Sequence, residues 1–329
     1  MPDSRAESPA VIEPDLPIID CHHHLWLRPE NRYLLDEYAA DLASGHNVLA
    51  TVYVECHAMY RQRGPQALRC VGEAEFVVGM GAMSDSGTFG PTRICAGFVG
   101  ALDFTLGDGV EEVIDALAAA SGGRLRGIRG MAAWDADATV NTGVRALAPE
   151  GLLLDARFRA GFARVAARGL VYDAWQYYPQ LQQLCSLADA FPDAAIVVDH
   201  CGGLLGIGAY AVTQNFAHWK ARVTEVARRP NTLMKLGGLS PKRTGFGFET
   251  RATPPTAQEL AETWRPYVES CIELFGSDRC MFESNFPADR ASGSYRTMWN
   301  ALKLTAANCS SAEKSALFSG TARRVYRIE

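Results

Sequence analysis

The sequence predicts a single α/β domain built as a (β/α)8 barrel, the arrangement known as a TIM barrel. Eight short apolar segments alternate with helical segments along the 329 residues. Continuous apolar strands separated by helices are typical of a parallel sheet with both faces covered. A doubly wound open sheet would carry a glycine-rich turn after its first strand, and this chain has three histidines there. A closed barrel therefore fits the chain better than an open sheet.

The predicted strands are short apolar runs that end in polar or aromatic residues. They cover residues 17–26, 48–58, 94–103, 125–134, 170–176, 194–199, 232–239 and 280–286. The segments between them read as helices, over residues 65–83, 109–120, 155–168, 180–191, 216–228, 257–275, 294–306 and 311–326. Residues 1–16 contain three prolines and no apolar run, so we expect a flexible tail followed by one barrel domain over residues 17–329.

The composition argues against several classes of protein. With a net charge of −5, the chain lacks the basic surface expected for binding nucleic acid or an anionic membrane. No apolar run reaches the ~18 residues needed to span a bilayer. The nine cysteines include no C-x-x-C pair, which favours a reducing compartment over a disulfide framework. We therefore expect a cytoplasmic protein that acts on a small molecule, with a homo-oligomer left open.

The first predicted strand ends in a run of three histidines, His22 to His24. Because side chains alternate along a strand, Asp20, His22 and His24 should share one face and His23 should lie on the other. Two imidazoles on one face form a paired site for a ligand. The alternative is a solvated histidine cluster at the entrance of a loop.

Polar side chains recur where the other predicted strands end. Active sites in barrels of this kind lie at the carboxyl ends of the strands, so these residues should surround one mouth of the barrel. They are His22, His24, Glu55, His57, Arg129, Asp173, Gln176, Asp199, His200, Lys235, Glu283 and Asn285.

Four short motifs resemble the amidohydrolase superfamily. They are Asp-Cys-His-His-His-Leu-Trp at 20–26, Val-Asp-His-Cys-Gly-Gly at 198–203, Met-Phe-Glu-Ser-Asn-Phe-Pro at 281–287, and Phe-Ser-Gly-Thr-Ala-Arg-Arg-Val-Tyr at 318–326. The chain is most similar to the amidohydrolase-related (type 2) branch, which contains fuconolactone and pyrone-dicarboxylate lactonases. The resemblance implies a distorted barrel and the hydrolysis, less often the decarboxylation, of a small acid or lactone.

The resemblance also implies a set of ligands. His22 and His24 match the metal-binding pair of the first strand, and His200 matches the histidine of the sixth. Three imidazoles suit one divalent ion, Zn or Mn, with water in the remaining position. Because no residue matches the group that bridges two metals, a binuclear site is not expected. In metal-free members of the group, histidines and arginines polarise the carbonyl directly, and that alternative stays open.

Asn285 stands where most members of the superfamily have an aspartate. An amide has no titratable lone pair at neutral pH, so Asn285 cannot take a proton from an attacking water. Glu283 should lie on the same face one layer deeper, and Glu55 is the other candidate base. The alternative for Glu283 is a carboxylate that orients a ligand histidine through a hydrogen bond.

Substrate binding is predicted for residues near the same strand ends. Arg129, between two glycines, could clamp a carboxylate, with Lys235 adding charge; salt bridges to Asp173 or Glu55 are the alternative. The other predicted substrate contacts are His57, Trp175 and Asp173. Residues 241–256 form a predicted flap whose Lys242, Arg243 and Arg251 could meet an anionic substrate, unless they make only a solvated basic loop.

Together these features predict a hydrolase that opens a small carboxylated lactone or a related ester or amide. The first alternative is a metal-dependent, non-oxidative decarboxylase of a small aromatic or unsaturated acid, which would not need a base for water. The second is a catalytically lapsed barrel that binds a ligand. Fold alone does not choose among the three.

Overall fold

A computed structural model of the protein describes residues 10–141 and 147–329. Its centre is a sheet of eight parallel strands whose spatial order follows their order along the chain. The strands are β1 (Ile18–His23), β2 (Val48–Val54), β3 (Arg93–Ala101), β4 (Leu125–Met131), β5 (Val171–Trp175), β6 (Ile196–Val198), β7 (Thr232–Leu236) and β8 (Cys280–Phe282).

The sheet curls until its first and last strands meet. The amide of His24 donates to the carbonyl of Phe286 at 2.8 Å, and the amide of Asn285 donates to the carbonyl of His22 at 2.9 Å. These bonds join the ends of β1 and β8 into a nearly closed barrel. The predicted (β/α)8 fold is therefore confirmed.

Helices cover the outside of the barrel. They are α1 (Leu35–Leu42), α2 (Val71–Asp85), α3 (Val110–Ala120), α4 (Ala156–Ala167), α5 (Leu181–Ala190), α6 (Asn215–Ala227), α7 (Ala257–Phe275) and α8 (Tyr295–Thr305), followed by a composite helix of Ser311–Ser315, Ala316–Gly320 and Thr321–Val325. The longest, α7, begins at a capping box of Thr256 and Glu259 and ends at Gly276, whose φ of 79° suits glycine. Among the described residues, we find no helix long and apolar enough to cross a bilayer.

β1 contains a bulge that changes which side chains face the centre. Its register against β2 shifts between Asp20 and His23. Asp20 accepts a hydrogen bond from Tyr38 at 2.9 Å, and His23 stacks on the same ring at 4.3 Å, so both lie outside the barrel. The predicted shared face is wrong for Asp20, because a bulge interrupts alternation. The rings of His22 and His24 remain neighbours, with centroids 4.9 Å apart.

The predicted tail is described only from residue 10. Residues 1–9 lie outside the described part of the chain, whereas residues 10–13 are hydrogen-bonded to α8. Asn300 exchanges hydrogen bonds with Ala10 and Ile12 at 2.9 Å, and Nζ of Lys303 donates to the carbonyls of Ile12 and Glu13. This part of the predicted tail is therefore attached to the barrel.

The interior of the barrel is filled by alternating apolar side chains and closed at its lower end by the last helix. The buried cluster includes Val52, Val99, Val197, Met281 and Tyr326. The Tyr326 hydroxyl lies 2.9 Å and 3.0 Å from the two carboxylate oxygens of Asp173 on β5. The closing helix thus contacts the polar layer under the barrel mouth.

Candidate active site

The candidate active site occupies the carboxyl ends of the strands in two layers. The outer layer lines a pocket of about 400 Å³ and includes His24, Glu55, His57, Arg129, Trp175, His200 and Asn285. The inner layer, at most 1% exposed, consists of His22, Asp173, Lys235 and Glu283. Side chains two residues apart on one strand face the same way. On β5 this spacing places Asp173 beneath Trp175, and His22 and Glu283 likewise precede the outer-layer residues His24 and Asn285 by two positions.

The two nitrogens of the His22 ring have different surroundings. Nδ1 lies 2.9 Å from Oε2 of Glu283 and 3.1 Å from Nζ of Lys235, whereas Nε2 has no hydrogen-bond partner among the described residues. We assign the Nδ1 proton to the side of Glu283, because otherwise two lone pairs would face each other. Burial, followed by the charge of Lys235, lowers the pKa of His22 and favours a neutral ring. Nε2 then presents an unused lone pair.

Glu283 lies between two of the predicted site histidines. Its Oε1 accepts hydrogen bonds from Nδ1 of His200 at 2.7 Å and from the His200 amide at 3.2 Å, while Oε2 faces His22. Burial opposes the negative charge, but the two imidazoles outweigh it and hold the pKa of Glu283 well below its usual range. The carboxylate is thus positioned to fix both rings with Nε2 unprotonated. Carboxylates that accept a hydrogen bond from metal-binding histidines commonly have this role.

Two consecutive glycines after β7 make room for this arrangement. A Cβ atom on Gly237 would collide with Glu283, and one on Gly238 would collide with the ring of His200. Gly238 also has a φ of 62°, which is costly for other residues. The Gly-Gly pair is therefore required by the close approach of the two side chains.

The His24 ring directs one nitrogen, Nε2, toward the pocket. Its Nδ1 lies 2.8 Å from the carbonyl oxygen of Val54, which can only accept. Burial, followed by the charges of His22 and Arg129, holds the pKa of His24 well below its usual range. A neutral ring that donates through Nδ1 carries its lone pair on Nε2.

Lys235 is an internal cation rather than part of the pocket wall. Its Nζ lies 2.5 Å from Oδ2 of Asp173 and 3.1 Å from Oδ1 of Asp199, and all three side chains have 0% exposure. Burial disfavours the charge on Lys235, but the two carboxylates outweigh it and raise its pKa. The geometry corresponds to the salt-bridge alternative for Lys235, and neither Lys235 nor Asp173 is among the residues that line the pocket. The reason is their depth along β7 and β5.

The residues at the floor of the pocket fit a divalent metal. Ligating atoms of His22, Asp199 and His200 lie within 4.8 Å of one another. The buried Nε2 of His22 has no hydrogen-bond partner among the described residues, whereas the carboxylate oxygens of Asp199 form ion pairs with Lys235 and Arg129. Two imidazoles and a carboxylate are a donor set that Zn²⁺ and similar ions accept. This group differs from the predicted set of His22, His24 and His200 by containing Asp199.

Cationic side chains dominate the wall above this floor. They are Arg28, Arg129, Lys242 and Arg243. The guanidinium carbons of Arg129 and Arg243 lie 5.5 Å and 5.3 Å from the ring centroid of Trp175. Arg129 is fixed by a hydrogen bond to the Glu55 carbonyl at 3.2 Å and by Asp199, whose Oδ2 is 3.2 Å from its Nε. The wall is therefore suited to a carboxylate or another anion.

Glu55 supplies a carboxylate to the same wall, and Glu73 of α2 supports its segment from behind. Oε1 of Glu73 accepts hydrogen bonds from the Tyr53 hydroxyl at 2.8 Å and from the amides of Cys56 and Ala58 at 2.9 Å and 3.0 Å. Burial, followed by the charge of Glu55, raises the pKa of Glu73 to about 8. Glu73 thus holds the loop after β2 from outside the pocket.

The amide of Asn285 is oriented by a buried carboxylate. Its Nδ2 donates to Oδ1 of Asp289 at 2.7 Å, while Oδ2 of Asp289 accepts from the Ser240 amide at 3.3 Å. Burial raises the pKa of Asp289 to about 6. Because the NH2 group is committed to Asp289, Asn285 offers the pocket its carbonyl oxygen, which is an acceptor.

Sequence reasoning did not select several residues now found at the site. Asp199 lies at a predicted strand end, and its position directly before His200 is the signal that assigns it to the site. Asp289 follows Asn285 by four residues, the spacing of one helical turn, and that spacing was the available signal. Of the predicted flap, Lys242 and Arg243 line the pocket, whereas Arg251 pairs with Glu259 at 2.8 Å. Arg28 comes from an unpredicted hairpin of Trp26–Arg28 and Asn31–Tyr33.

A family profile described as amidohydrolase (Amidohydro_2) matches residues 19–328. The chain belongs to the amidohydrolase family. This match confirms the resemblance inferred from the four motifs and identifies the protein as an enzyme of the hydrolase class. The predicted histidine motifs and the strand-eight segment all lie within the matched range.

Two relatives align over nearly the whole chain. The uncharacterized protein y4mH of Sinorhizobium fredii is 30% identical, over 95% of this chain and 99% of its own length. The L-fucono-1,5-lactonase of Burkholderia multivorans is 28% identical, over 94% of this chain and 96% of its own length.

Solved structures share the fold of this amidohydrolase. A zinc-bound amidohydrolase from Burkholderia multivorans superimposes with a TM-score of 0.72 at 24% identity, covering 95% of this chain and 99% of that one. A manganese-bound 5-carboxyvanillate decarboxylase from Novosphingobium aromaticivorans gives a TM-score of 0.59 at 13% identity, covering 96% and 98%. The fold is thus common to metal-bound hydrolases and decarboxylases.

Proposed function

We propose that this amidohydrolase opens a small carboxylated lactone by hydrolysis. The observation that carries the proposal is the group of ligating atoms on His22, Asp199 and His200, which lie within 4.8 Å of one another beneath a pocket with a cationic wall. The 28% identity to an L-fucono-1,5-lactonase supports the reaction class. The cationic wall supports a substrate that also carries a carboxylate.

In this proposal His22, Asp199 and His200 hold one divalent metal ion, with His24 beside them. Such an ion, when bound, would polarise the lactone carbonyl and lower the pKa of water. Glu283 fixes the two ligand imidazoles. These assignments follow from the types of donor atom and from their distances to one another.

The remaining groups bind and orient the substrate. Arg129 and Arg243 hold the substrate carboxylate against Trp175. Glu55, the carboxylate on the pocket wall, accepts the proton released as water adds to the lactone carbonyl. It returns this proton to the ring oxygen as the acyl C–O bond of the ring breaks. Asn285 accepts a hydrogen bond from a substrate hydroxyl or from water through its carbonyl oxygen. His57 closes the side of the pocket next to Glu55.

The test combines metal analysis with a substrate panel. Untagged protein should contain about one Zn or Mn per chain by inductively coupled plasma mass spectrometry. It should also open lactones in a pH-indicator assay, with L-fucono-1,5-lactone and 2-pyrone-4,6-dicarboxylate included. His22→Ala and His200→Ala should lose both metal and turnover, whereas the exposed control His218→Ala should keep both. If the protein opened lactones without bound metal, the histidines and arginines would be the groups that polarise the carbonyl. If the protein contained no metal and opened no lactone, the result would favour the catalytically lapsed barrel.

A second candidate function is non-oxidative decarboxylation. The observation that favours it is Asn285, whose amide is committed to Asp289, so that no strand-eight carboxylate faces the pocket. Release of CO2 from a small aromatic acid, without lactone opening, would establish this alternative.

The cellular setting and assembly are part of the same proposal. A cytoplasmic location is supported by nine cysteines that are all unpaired. A homo-oligomer remains a prediction, which sedimentation velocity would test directly.

A further inference from the structure

A second, larger pocket adjoins the reaction pocket. It has a volume of about 1020 Å³ and lies at the mouth-side ends of β2, β3 and β4. Both pockets are lined by Glu55, His57, Arg129 and Met131. A ligand that passes these side chains would occupy both pockets at once.

The second pocket has an apolar floor and a charged rim that carries Arg61, Arg69 and Asp103. Phe104 and Phe158 are buried in the floor with ring centroids 4.8 Å apart. Half-buried leucines extend this surface: Leu102, Leu106 and Leu152. On the rim, Arg61 pairs with Glu75, whereas the guanidinium of Arg69 has no ion pair among the described residues. This lining suits a hydrocarbon group, with an anion tolerated at its far end.

The reaction pocket alone is large enough for one lactone ring. Small-molecule sites commonly measure about 300–1,000 Å³, and the reaction pocket, at about 400 Å³, lies near the lower limit. The adjoining apolar floor exceeds what a ring-sized polar substrate needs. Its removal from water by a substrate would add binding free energy in proportion to the apolar area covered.

We propose that the substrate has two parts, a carboxylated lactone head and an apolar alkyl or aryl substituent that lies in the second pocket toward Arg69. This inference rests on the proposed lactone hydrolysis and names its substrate class. The head occupies the reaction pocket beside His24 and Arg129. The substituent passes Met131 and contacts the phenylalanine and leucine floor.

The kinetic test uses carboxylated γ-lactones whose alkyl substituent has zero, two, four or six carbons. Each methylene buried should raise kcat/KM by about fourfold until the floor is covered. Leu152→Asp places a charge on the floor and should abolish this gain. The matched control Leu154→Asp should retain it, because Leu154 is 52% exposed and lines neither pocket. A kcat/KM independent of chain length in the wild type would overturn the proposal while leaving lactone hydrolysis intact.

A binding test separates this proposal from the reaction itself. Titration calorimetry with butanoate, hexanoate and octanoate should show affinity rising with chain length, and octanedioate should lose affinity in Arg69→Gln but not in Arg63→Gln. If no lactone is turned over but this dependence appears, the proposed function fails and the second subsite stands. Equal affinity for all three monocarboxylates would refute the subsite whatever the catalytic result.

Discussion

Replacing Lys235 with methionine removes the cation that two buried carboxylates share. Asp173 and Asp199 lie 2.5 Å and 3.1 Å from its Nζ, and methionine fills a similar volume without charge. Removing one partner from a buried ion pair costs about 3–5 kcal/mol, because the other partner stays desolvated and unpaired. For a chain of 329 residues we expect Tm to fall by about 4–7 °C.

Scanning calorimetry and urea unfolding would measure the loss, with Lys242→Met on the pocket rim as a control expected to stay within about 0.5 kcal/mol. Adding Asp173→Asn to Lys235→Met should cost less than the sum of the two single changes, because one unpaired charge is removed with its partner. If the free energy of unfolding of Lys235→Met were less than about 1 kcal/mol below that of the wild type, the view that Lys235 neutralises the inner layer would be refuted.

Three further predictions concern the groups around the pocket. Between pH about 4.5 and about 8 the folded state keeps the Glu73 proton that the unfolded chain releases. Wild-type stability should therefore fall with rising pH by up to about 1.4 kcal/mol per unit relative to Glu73→Gln, measured by urea midpoints at pH 5 and 7.5; parallel curves would contradict it. Asp289→Ala frees the Asn285 amide to rotate and should lower kcat about 10–100-fold with the fold intact by circular dichroism, by analogy with outer-shell ligands; unchanged kcat would remove Asp289 from the site. Arg243→Gln should raise KM about tenfold for a carboxylated lactone, a loss of about 1.4 kcal/mol in binding free energy, while Arg251→Gln should not. Equal increases in KM would show that the overall positive charge, and not a direct contact of Arg243, attracts the substrate.

The histidines could be located from sequence because their signal is local. His22 and His24 are neighbours at the end of β1, and His200 follows the apolar strand β6 with only Asp199 between them. The rule of alternating faces failed for Asp20, because a bulge depends on pairing with the neighbouring strand and leaves no mark in the sequence of β1.

Depth along the barrel axis was the second quantity that sequence did not provide. Lys235 and Asp173 were expected to contact substrate, but they meet each other one layer below it. Whether a polar residue near a strand end reaches the mouth depends on the stagger between strands, a property of the closed sheet. For Glu283 the expected depth agrees with the observed burial, because it was counted from a neighbour on the same strand, Asn285.

A chain of contacts connects Tyr326 to His22. The Tyr326 hydroxyl and Nζ of Lys235 both donate hydrogen bonds to the Asp173 carboxylate, and Nζ of Lys235 also contacts Nδ1 of His22. The ribosome makes His22 before most of the barrel and Tyr326 only after all eight strands. A growing chain therefore exposes its histidines long before the groups that fix them exist. Assembly of the reaction centre must then be a late event that follows translation of the last helix. Any factor that pulls on that helix, such as a fused partner, acts on His22 through three side chains.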